Sequence, residues 1–308
     1  MVWYAFENAD EAAKRTRELL LPFDWRLWAR IAVMALFVGG FTAPSFGSGD
    51  IGGFDGGLQQ FDPGASLNPQ FWTGSIPEAV LLMILAGFAV VSIFGVLRSV
   101  FGFVFYQSLM DNEVRIRSNF RKHLWKGFKL FVFELSALLV LFSIGLALFL
   151  PIYLSPVFIL IAVLAGLPLL LVSGVFFQFT TDFIPLFMIE NDQGVLESWK
   201  DLYSLALDEW RQLGLYFIVK LVLGAVIEIV IASVSFLMLL LMVVPVGAVS
   251  FLLYLVFKPL ALIPVVVAAL TLVFIVLYFL RGPATTFLRY YSLLVYDDVT
   301  QEESVLNS

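Results

Sequence analysis

The sequence predicts an all-α membrane protein, in which six transmembrane helices form three helical hairpins with amphipathic helices on the cytoplasmic side. The 308 residues are 61% hydrophobic and 14% charged, with a mean hydropathy of +0.96. Apolar residues gather into six runs, at residues 27–43, 76–97, 128–151, 157–179, 213–244 and 260–280. A helix of about 20 apolar residues crosses the ~30 Å hydrocarbon core of a membrane. The runs lack the alternation of barrel strands, and helices pair their own backbone groups in lipid.

The positions of the basic residues predict the orientation of these helices. Seventeen of the 18 Lys and Arg residues lie at alternate junctions between the apolar runs, and only Lys258 lies on the other side. Cytoplasmic loops retain cationic residues. We therefore predict a single polytopic domain, residues 1–308, in the cell (plasma) membrane, with both termini and two internal loops in the cytoplasm.

Residues 1–26 are predicted to form a cytoplasmic amphipathic segment. Asn8 and Glu11 have the spacing of a capping box, apolar positions continue to Leu21, and Pro22 ends the helix. The first apolar run is expected to be a retained anchor, because polar and amphipathic residues precede it and no cleavage pattern is evident.

Residues 44–75 are predicted to form an extracytoplasmic, glycine-rich loop. This stretch contains no Lys or Arg, and Phe71 and Trp72 are expected to hold its end at the membrane. Asp50, Asp55 and Asp62 lack the spacing and the terminal Glu of an EF-hand, so they predict solvated acids rather than a calcium site.

Residues 213–280 contain few breaks, and their length fits two generous spans or three tight ones. Three spans would place Arg281 and Arg289 outside the cell and leave almost no residues for turns. We favour two spans, joined by the apolar residues 246–257, which are too few to cross the membrane. Residues 297–308 are then a cytoplasmic tail.

A weak internal repeat recurs three times along the chain. Residues 103–113, 183–192 and 288–298 each end a long apolar run with an aromatic stretch and an acidic cluster. Variable spacing between them is typical of helix-hairpin repeats with loops of different length. Each unit is predicted to open with an amphipathic segment, at residues 8–21, 114–125 and 195–206.

Composition argues against several classes of function. The formal charge is −6, Lys is scarce and Cys is absent, which favours a prokaryotic and salt-adapted source such as a haloarchaeon and excludes thiolate chemistry. A single histidine, His123, cannot supply the paired histidines of a zinc peptidase. Phosphate-cradling glycine motifs and a basic nucleic-acid footprint are also missing. We expect no catalytic residue, no metal, no cofactor and no nucleic-acid partner.

Polar residues within the apolar runs are the first group of candidate site residues, because burying a charge in lipid costs about 2.5–3.5 kcal/mol or more. They are Glu228, Lys220, Glu134, Arg98 and Asp182, with Arg281 at the end of the sixth run. One interpretation is a proton- or ion-linked pathway with Glu228 as its central carboxylate. The other is structural pairing near the interface, either between helices, as with Arg98 and Glu134, or between Glu228 and Lys220, which lie about two turns apart on a similar face of one helix.

Basic residues next to the third run are the second group. Arg115, Arg117, Arg121 and Lys122 lie close to Trp125. They predict a cytoplasmic surface that binds anionic lipid or a protein partner. The alternative is an interfacial helix whose basic and aromatic residues serve only as membrane anchors.

Residues 182–211 resemble the signature of the glycerophosphodiester phosphodiesterase membrane domain and of related stand-alone prokaryotic six-helix proteins. The residues that match are Pro185, Glu190, Gly194, Ser198, Lys200 and Trp210. The resemblance is sharp over about 30 residues of this sequence. It implies a six-helix bundle, and it carries over no hydrolase activity, because the chain shows no phosphodiesterase domain.

The sequence therefore favours a non-catalytic multi-pass membrane scaffold or accessory protein. Membrane lipids, and a protein partner on the cytoplasmic face, are its expected contacts. The alternative is a small transporter or lipid-handling permease that uses a buried carboxylate.

Overall fold

A computed structural model describes residues 4–39, 78–153, 155, 158–257 and 262–306 of the chain. These residues form α-helices and one 3₁₀ turn, Leu150–Tyr153, and they contain no strand. The helices are α1 (Tyr4–Leu20), α2 (Trp25–Val38), α3 (Glu78–Met110), α4 (Ile116–Phe149), α5 (Phe158–Asp182), α6 (Ile184–Glu190), α7 (Val195–Asp208), α8 (Trp210–Phe257) and α9 (Leu262–Leu306). The predicted all-α class is confirmed for this part of the chain. The predicted loop at 44–75 and Lys258 lie outside the described residues.

Four segments are long and apolar enough to cross a membrane, namely Val80–Met110, Ile116–Phe149, Phe158–Glu190 and Trp210–Phe251. The most apolar stretch of each has at most 12% of its residues buried by protein. Apolar helices that their own fold leaves uncovered need another apolar environment, and lipid supplies it. The chain thus has the helices of a membrane protein.

Several predicted boundaries differ from the structure. The predicted amphipathic segment 114–125 is not a separate helix, because most of it forms the first turns of α4. The predicted connection 246–257 is also helical, since α8 continues through Pro245 for 48 residues. Similarly, α9 continues through Arg281 and Pro283 into the predicted tail. A continuous helix forms hydrogen bonds between its own backbone groups. The stabilisation from these bonds is larger than the loss of the single hydrogen bond that each proline removes.

The first predicted span, residues 27–43, is only partly described. Helix α2 has 14 residues, which at 1.5 Å per residue extend about 21 Å, less than the ~30 Å of a hydrocarbon core. Its end lies beside charged side chains, because Val38 lines the same cavity as Lys220 and Asp182. Residues 40–43 lie outside the described part.

The chain divides into two compact units, residues 1–40 with 96–308 and residues 41–95. The buried core of the first unit forms a packed layer, made of α1, α2, α6 and α7 with the adjoining ends of α3, α4, α8 and α9. The three repeated segments contribute many of its side chains. Tyr216 stacks on Tyr291 at 5.4 Å, and Phe187 meets Tyr296 edge-on at 4.9 Å. Aromatic residues bury large areas and favour such geometries, so these contacts hold the helix ends together.

Two of the repeated segments end in the same backbone turn. Asn112 follows α3 with φ of 51°, and Asp192 follows α6 with φ of 50°. Asn and Asp adopt this left-handed conformation more readily than other non-glycine residues. The acidic clusters seen in the sequence therefore mark two helix ends, after which α4 and α7 begin.

Helices α8 and α9 pack antiparallel. Lys220 on α8 contacts Ser292 on α9, and Glu228, eight residues further along α8, contacts Arg281, eleven residues earlier on α9. Along α8, about two turns of helix, or about 12 Å, separate the levels of these contacts. This register decides which polar residues meet.

Candidate functional site

A charge cluster lies where α5, α8 and α9 meet beneath the packed layer. It consists of Asp182, Lys220 and Arg289, which are 4%, 8% and 6% exposed. Lys220 Nζ lies 2.6 Å from Asp182 Oδ2, and Arg289 Nη1 lies 3.5 Å from Asp182 Oδ1. One carboxylate therefore faces two cations, and the cluster carries one net positive charge.

Hydroxyl groups complete the coordination of Lys220. Its ammonium donates to Ser292 Oγ at 2.7 Å and to Tyr216 OH at 3.0 Å. Tyr216 OH in turn lies 2.9 Å from Asp182 Oδ2. Because a buried ion is stable only when its hydrogen-bonding groups are satisfied, these contacts make the burial of Lys220 possible.

Arg289 is held by a different set of partners. Its Nη1 donates to Tyr106 OH at 2.7 Å and to the Thr181 carbonyl at 2.8 Å. In a continuous helix that carbonyl would accept from the backbone N–H four residues later, but position 185 is a proline and has none. Pro185 thus ends α5, and it frees the Thr181 carbonyl for Arg289.

Glu228 and Arg281 form a second ion pair, the outer pair. Arg281 Nη2 lies 3.3 Å from Glu228 Oε2, and the two side chains are 12% and 51% exposed. The predicted pairing of Glu228 with Lys220 is therefore wrong, because Lys220 binds Asp182 instead. Eight residues of one helix separate the two side chains by about 12 Å along the axis, too far for contact.

The second predicted pair, Arg98 with Glu134, does not form a salt bridge. Arg98 is exposed and Glu134 is half-buried, and the ion pairs formed among the described residues do not include them. They lie on neighbouring helices, α3 and α4, and the Arg98 charge still acts on Glu134, as does the charge of Arg289 in the cluster. These two candidates therefore interact through space without a direct contact.

A cavity of about 200 Å³ connects the charge cluster to the outer pair. Its charged lining is Asp182, Lys220, Glu228, Arg281 and Arg289, and its apolar lining includes Val38, Ile227, Ile231 and Leu288. Helices α2, α5, α8 and α9 contribute these residues. The sequence identified four of the five charged residues as candidates, and it used the fifth, Arg289, only as a basic residue that follows the last apolar run.

The basic surface predicted on the third run is exposed at the start of α4. This collar is defined by Arg115, Arg117, Arg121, Lys122 and Trp125, all of them exposed. Arg115 lies 2.5 Å from Glu113 Oε2, and Lys122 Nζ lies 3.4 Å from Gln107 Oε1. The collar residues therefore share one surface, where most of their charge faces outward.

Lys126, one turn further along α4, has a structural role instead. Its ammonium donates to the Met188 carbonyl at the end of α6 and lies close to Asp192, each at 2.6 Å. A cation at a helix C-terminus is favoured by the exposed carbonyls. The hydrogen bond and charge of Lys126 lower the pKa of Asp192.

Exposed aromatic residues accompany the collar. The Lys129 ammonium lies 5.8 Å from the Trp125 ring, and the Arg211 guanidinium lies 5.3 Å from the Trp210 ring. Helix α7 buries Val195, Ser198, Leu202 and Leu205 and exposes Leu196, Tyr203 and Leu207 on another face. Tryptophan beside a cation is typical of a membrane–water interface.

His123, the single histidine, is buried in the first turns of α4. Its Nε2 lies 3.3 Å from Gln107 Oε1, and its ring stacks on Phe103 at 5.8 Å. It does not reach the charge cluster. Among the described residues, no group of three His, Cys, Asp or Glu side chains is placed to hold a metal ion.

Acidic groups also meet where α1 packs on α9. Asn8 Nδ2 donates to Asp298 Oδ2 at 2.8 Å, and Tyr296 OH donates to Glu190 Oε2 at 2.5 Å. Burial, with the neighbouring Glu190 charge, raises the pKa of Asp297 to about 6. The predicted capping role of Asn8 is wrong, because α1 begins at Tyr4 and Asn8 lies inside the helix.

Most of the residues that match the six-helix signature lie at or near helix boundaries, whereas Lys200 lies inside α7. Gly194 precedes α7, its N–H donates to Glu197 Oε2 at 3.0 Å, and Ser198 Oγ donates to the Gly194 carbonyl at 2.9 Å. Pro185 opens α6, and Trp210 opens α8. These positions specify turns, which gives them a role in the fold.

Comparison with known proteins gives one result. Residues 3–306 match a family described as "Family of unknown function (DUF7544)". No curated protein and no solved structure matches the chain.

Proposed function

The chain belongs to the DUF7544 family, and we propose that it is a non-catalytic multi-pass membrane accessory protein that acts through the packed layer and the collar. The packed layer holds most of the core, while the apolar helices are left uncovered. A protein specialised in this way presents a defined surface next to the membrane. The collar is the part of that surface that suits anionic lipid or an acidic partner.

The distribution of charge is the observation that carries this proposal. Residues 79–97, 135–153, 158–181, 229–257 and 262–280 contain no Asp, Glu, Lys, Arg or His. An ion or proton pathway would need polar groups along the apolar part of the bundle. Apart from Glu78 at the start of α3, the charged residues of these helices gather at the end next to the packed layer.

We further propose six spans with both termini in the cytoplasm, as the basic residues predict. Because the chain lacks Cys, single-Cys variants give labelling without background. Ser66→Cys should react with an impermeant maleimide added to intact cells, whereas Ser118→Cys and Ser304→Cys should react only after permeabilisation. Ser118 is exposed, so its protection would reflect the membrane barrier. Labelling of Ser304→Cys from outside would contradict six spans and favour seven.

Neutralising the collar should weaken its association with anionic lipid. The triple variant Arg115→Gln, Arg117→Gln and Arg121→Gln removes three juxtamembrane cations, each contributing about 1 kcal/mol at moderate salt. We expect about a hundredfold weaker binding of a fluorescent phosphatidylglycerol to detergent-solubilised protein at low salt. Near molar salt the difference should nearly vanish, because the Debye length shortens to about 3 Å.

A matched control comes from α1. Lys14, Arg15 and Arg17 are exposed cations on a helix of the same packed layer. Their triple Gln variant removes the same charge from a surface without the Trp125–Lys129 pair. An equal loss of binding in both triple variants would show that net charge alone matters, and the collar would lose its assigned role.

A second function is favoured by the cavity. A charged cavity at the level where the apolar helices begin suits the alternative of a lipid-handling permease. In this case the two buried cations, rather than Glu228 alone, would contact the ligand. This function predicts exchange of lipid between vesicles, which the accessory function does not.

A further inference from the structure

We propose that the cavity between the charge cluster and the outer pair binds a phosphate group, presented by a lipid headgroup or by free phosphate. The proposal concerns the interior of the first unit and does not depend on the collar. Three cations and two carboxylates line the cavity, so its wall carries one net positive charge. A phosphodiester carries one negative charge and would neutralise the site.

The carboxylates of the cavity are already engaged. Asp182 is within 2.6 Å of Lys220 and also accepts from Tyr216, and Glu228 accepts from Arg281. Neither carboxylate is therefore an unpaired charge that would need a metal ion or a proton to neutralise it. The one excess positive charge belongs to Lys220 and Arg289, which share the single carboxylate of Asp182.

Arg289 retains donors for a ligand. Its three hydrogen bonds to Tyr106, Thr181 and Asp182 all use Nη1. A guanidinium has five N–H donors, so those on Nε and Nη2 form none of these bonds. The residue is only 6% exposed and lines the cavity. A buried cation with unused donors points to a ligand that would satisfy them.

Arg281, at the other end of the cavity, also has guanidinium N–H groups beyond those of its one described hydrogen bond. It uses Nη2 for Glu228, while its side chain is 12% exposed. Each guanidinium can hold phosphate oxygens in the bidentate geometry that this group favours. Lys220 adds a third positive charge at the same wall.

The size and position of the cavity fit this ligand. A volume of about 200 Å³ is several times the ~30 Å³ that one water occupies in the liquid. Glu228 is half-exposed, and Ile229 and Val230, which follow it on α8, are exposed apolar residues. The opening thus lies at the boundary between charged and apolar surface, where lipid headgroups lie.

Two substitutions should change phosphate affinity in opposite directions. Arg281→Gln removes a cation from the cavity, and we expect binding about tenfold weaker or more. Glu228→Gln removes a negative charge while keeping the shape of the side chain, and binding should become several-fold tighter. A purely structural role of the outer pair would weaken binding in both variants, because each loses the same salt bridge. Arg211→Gln, an exposed cation on α8, is the control and should change nothing.

The experiment measures binding of radiolabelled inorganic phosphate to delipidated protein in detergent, and its displacement by short-chain phosphatidylglycerol. If phosphate binds, and binds more weakly to Arg281→Gln and more tightly to Glu228→Gln, the result supports the site with a free anion as its ligand. Binding of phosphatidylglycerol alone, with the same trends, supports the lipid as the source. If neither ligand binds, or if Arg281→Gln and Glu228→Gln change binding in the same direction, the proposal is overturned. If Arg281→Gln does not fold, Glu228→Gln alone still tests the proposal. Tighter phosphate binding by this variant supports the site, and weaker binding overturns it.

Discussion

Asp182→Ala is expected to lower the free energy of unfolding by about 3–5 kcal/mol, the largest effect of any single substitution in the charge cluster. Asp182 is the carboxylate that both Lys220 and Arg289 contact, and all three side chains are buried. Its removal leaves two cations without a counter-charge in a low-dielectric site. Unfolding by sodium dodecyl sulfate in mixed micelles, followed by circular dichroism, measures the change.

An exposed aspartate provides the control for this substitution. Asp208 at the end of α7 is exposed, so Asp208→Ala should change stability by no more than about 0.5 kcal/mol. The double variant Asp182→Ala with Lys220→Met should be more stable than Asp182→Ala alone, because only one buried cation then lacks a partner. If Asp182→Ala were as mild as Asp208→Ala, the three charges could not lie together as described.

Gly127→Ala is expected to destabilise the contact between α3 and α4 by about 1–3 kcal/mol. A Cβ at this position would lie 2.5 Å from Val100 Cγ2 and 2.7 Å from Val100 Cα. Because backbone atoms of α3 are among those it meets, a side-chain rotation cannot relieve the clash. The two helices would have to separate inside the packed layer, where Val100 is fully buried.

The matched control is a glycine on the same helix. A Cβ at Gly145 would meet nothing within 4 Å. Gly145→Ala should therefore stabilise α4 by up to about 1 kcal/mol through helix propensity alone. Thermal unfolding of the two variants in detergent should show midpoints shifted in opposite directions. A stabilising Gly127→Ala would show that α3 and α4 do not approach each other as closely as the structure describes.

Local sequence patterns were sufficient to predict the all-helical class and some individual helices. The three- and four-residue spacing of Val195, Trp199, Leu202 and Ala206 predicted a helix, and α7 spans these positions. Asp182 and Lys220 were recognised individually, because a charge in an apolar run has a high cost that something must offset. These inferences needed only residues that are close in the sequence.

Contacts between distant residues could not be inferred in the same way. Arg289 and Tyr106 are 183 positions apart, and no periodicity links them. The pairing of Lys220 was assigned to Glu228 because both lie on one face of one helix, whereas the packing of α5 against α8 brings Asp182 closer. The capping prediction for Asn8 was wrong for a related reason, because capping-box spacing also occurs inside a helix. The side chain of Asn8 instead forms a hydrogen bond to Asp298 on a distant helix.

The antiparallel register of α8 and α9 has a consequence for the order in which the chain is synthesised. Translation completes Asp182, Lys220 and Glu228 before it reaches Arg281 and Arg289, which both belong to the last helix. A nascent chain that ends with α8 therefore has one cation and two carboxylates among these residues, a net charge of −1. Addition of α9 reverses that sign to +1. The affinity of this region for anions is thus a property that the protein acquires only in the final stage of its synthesis.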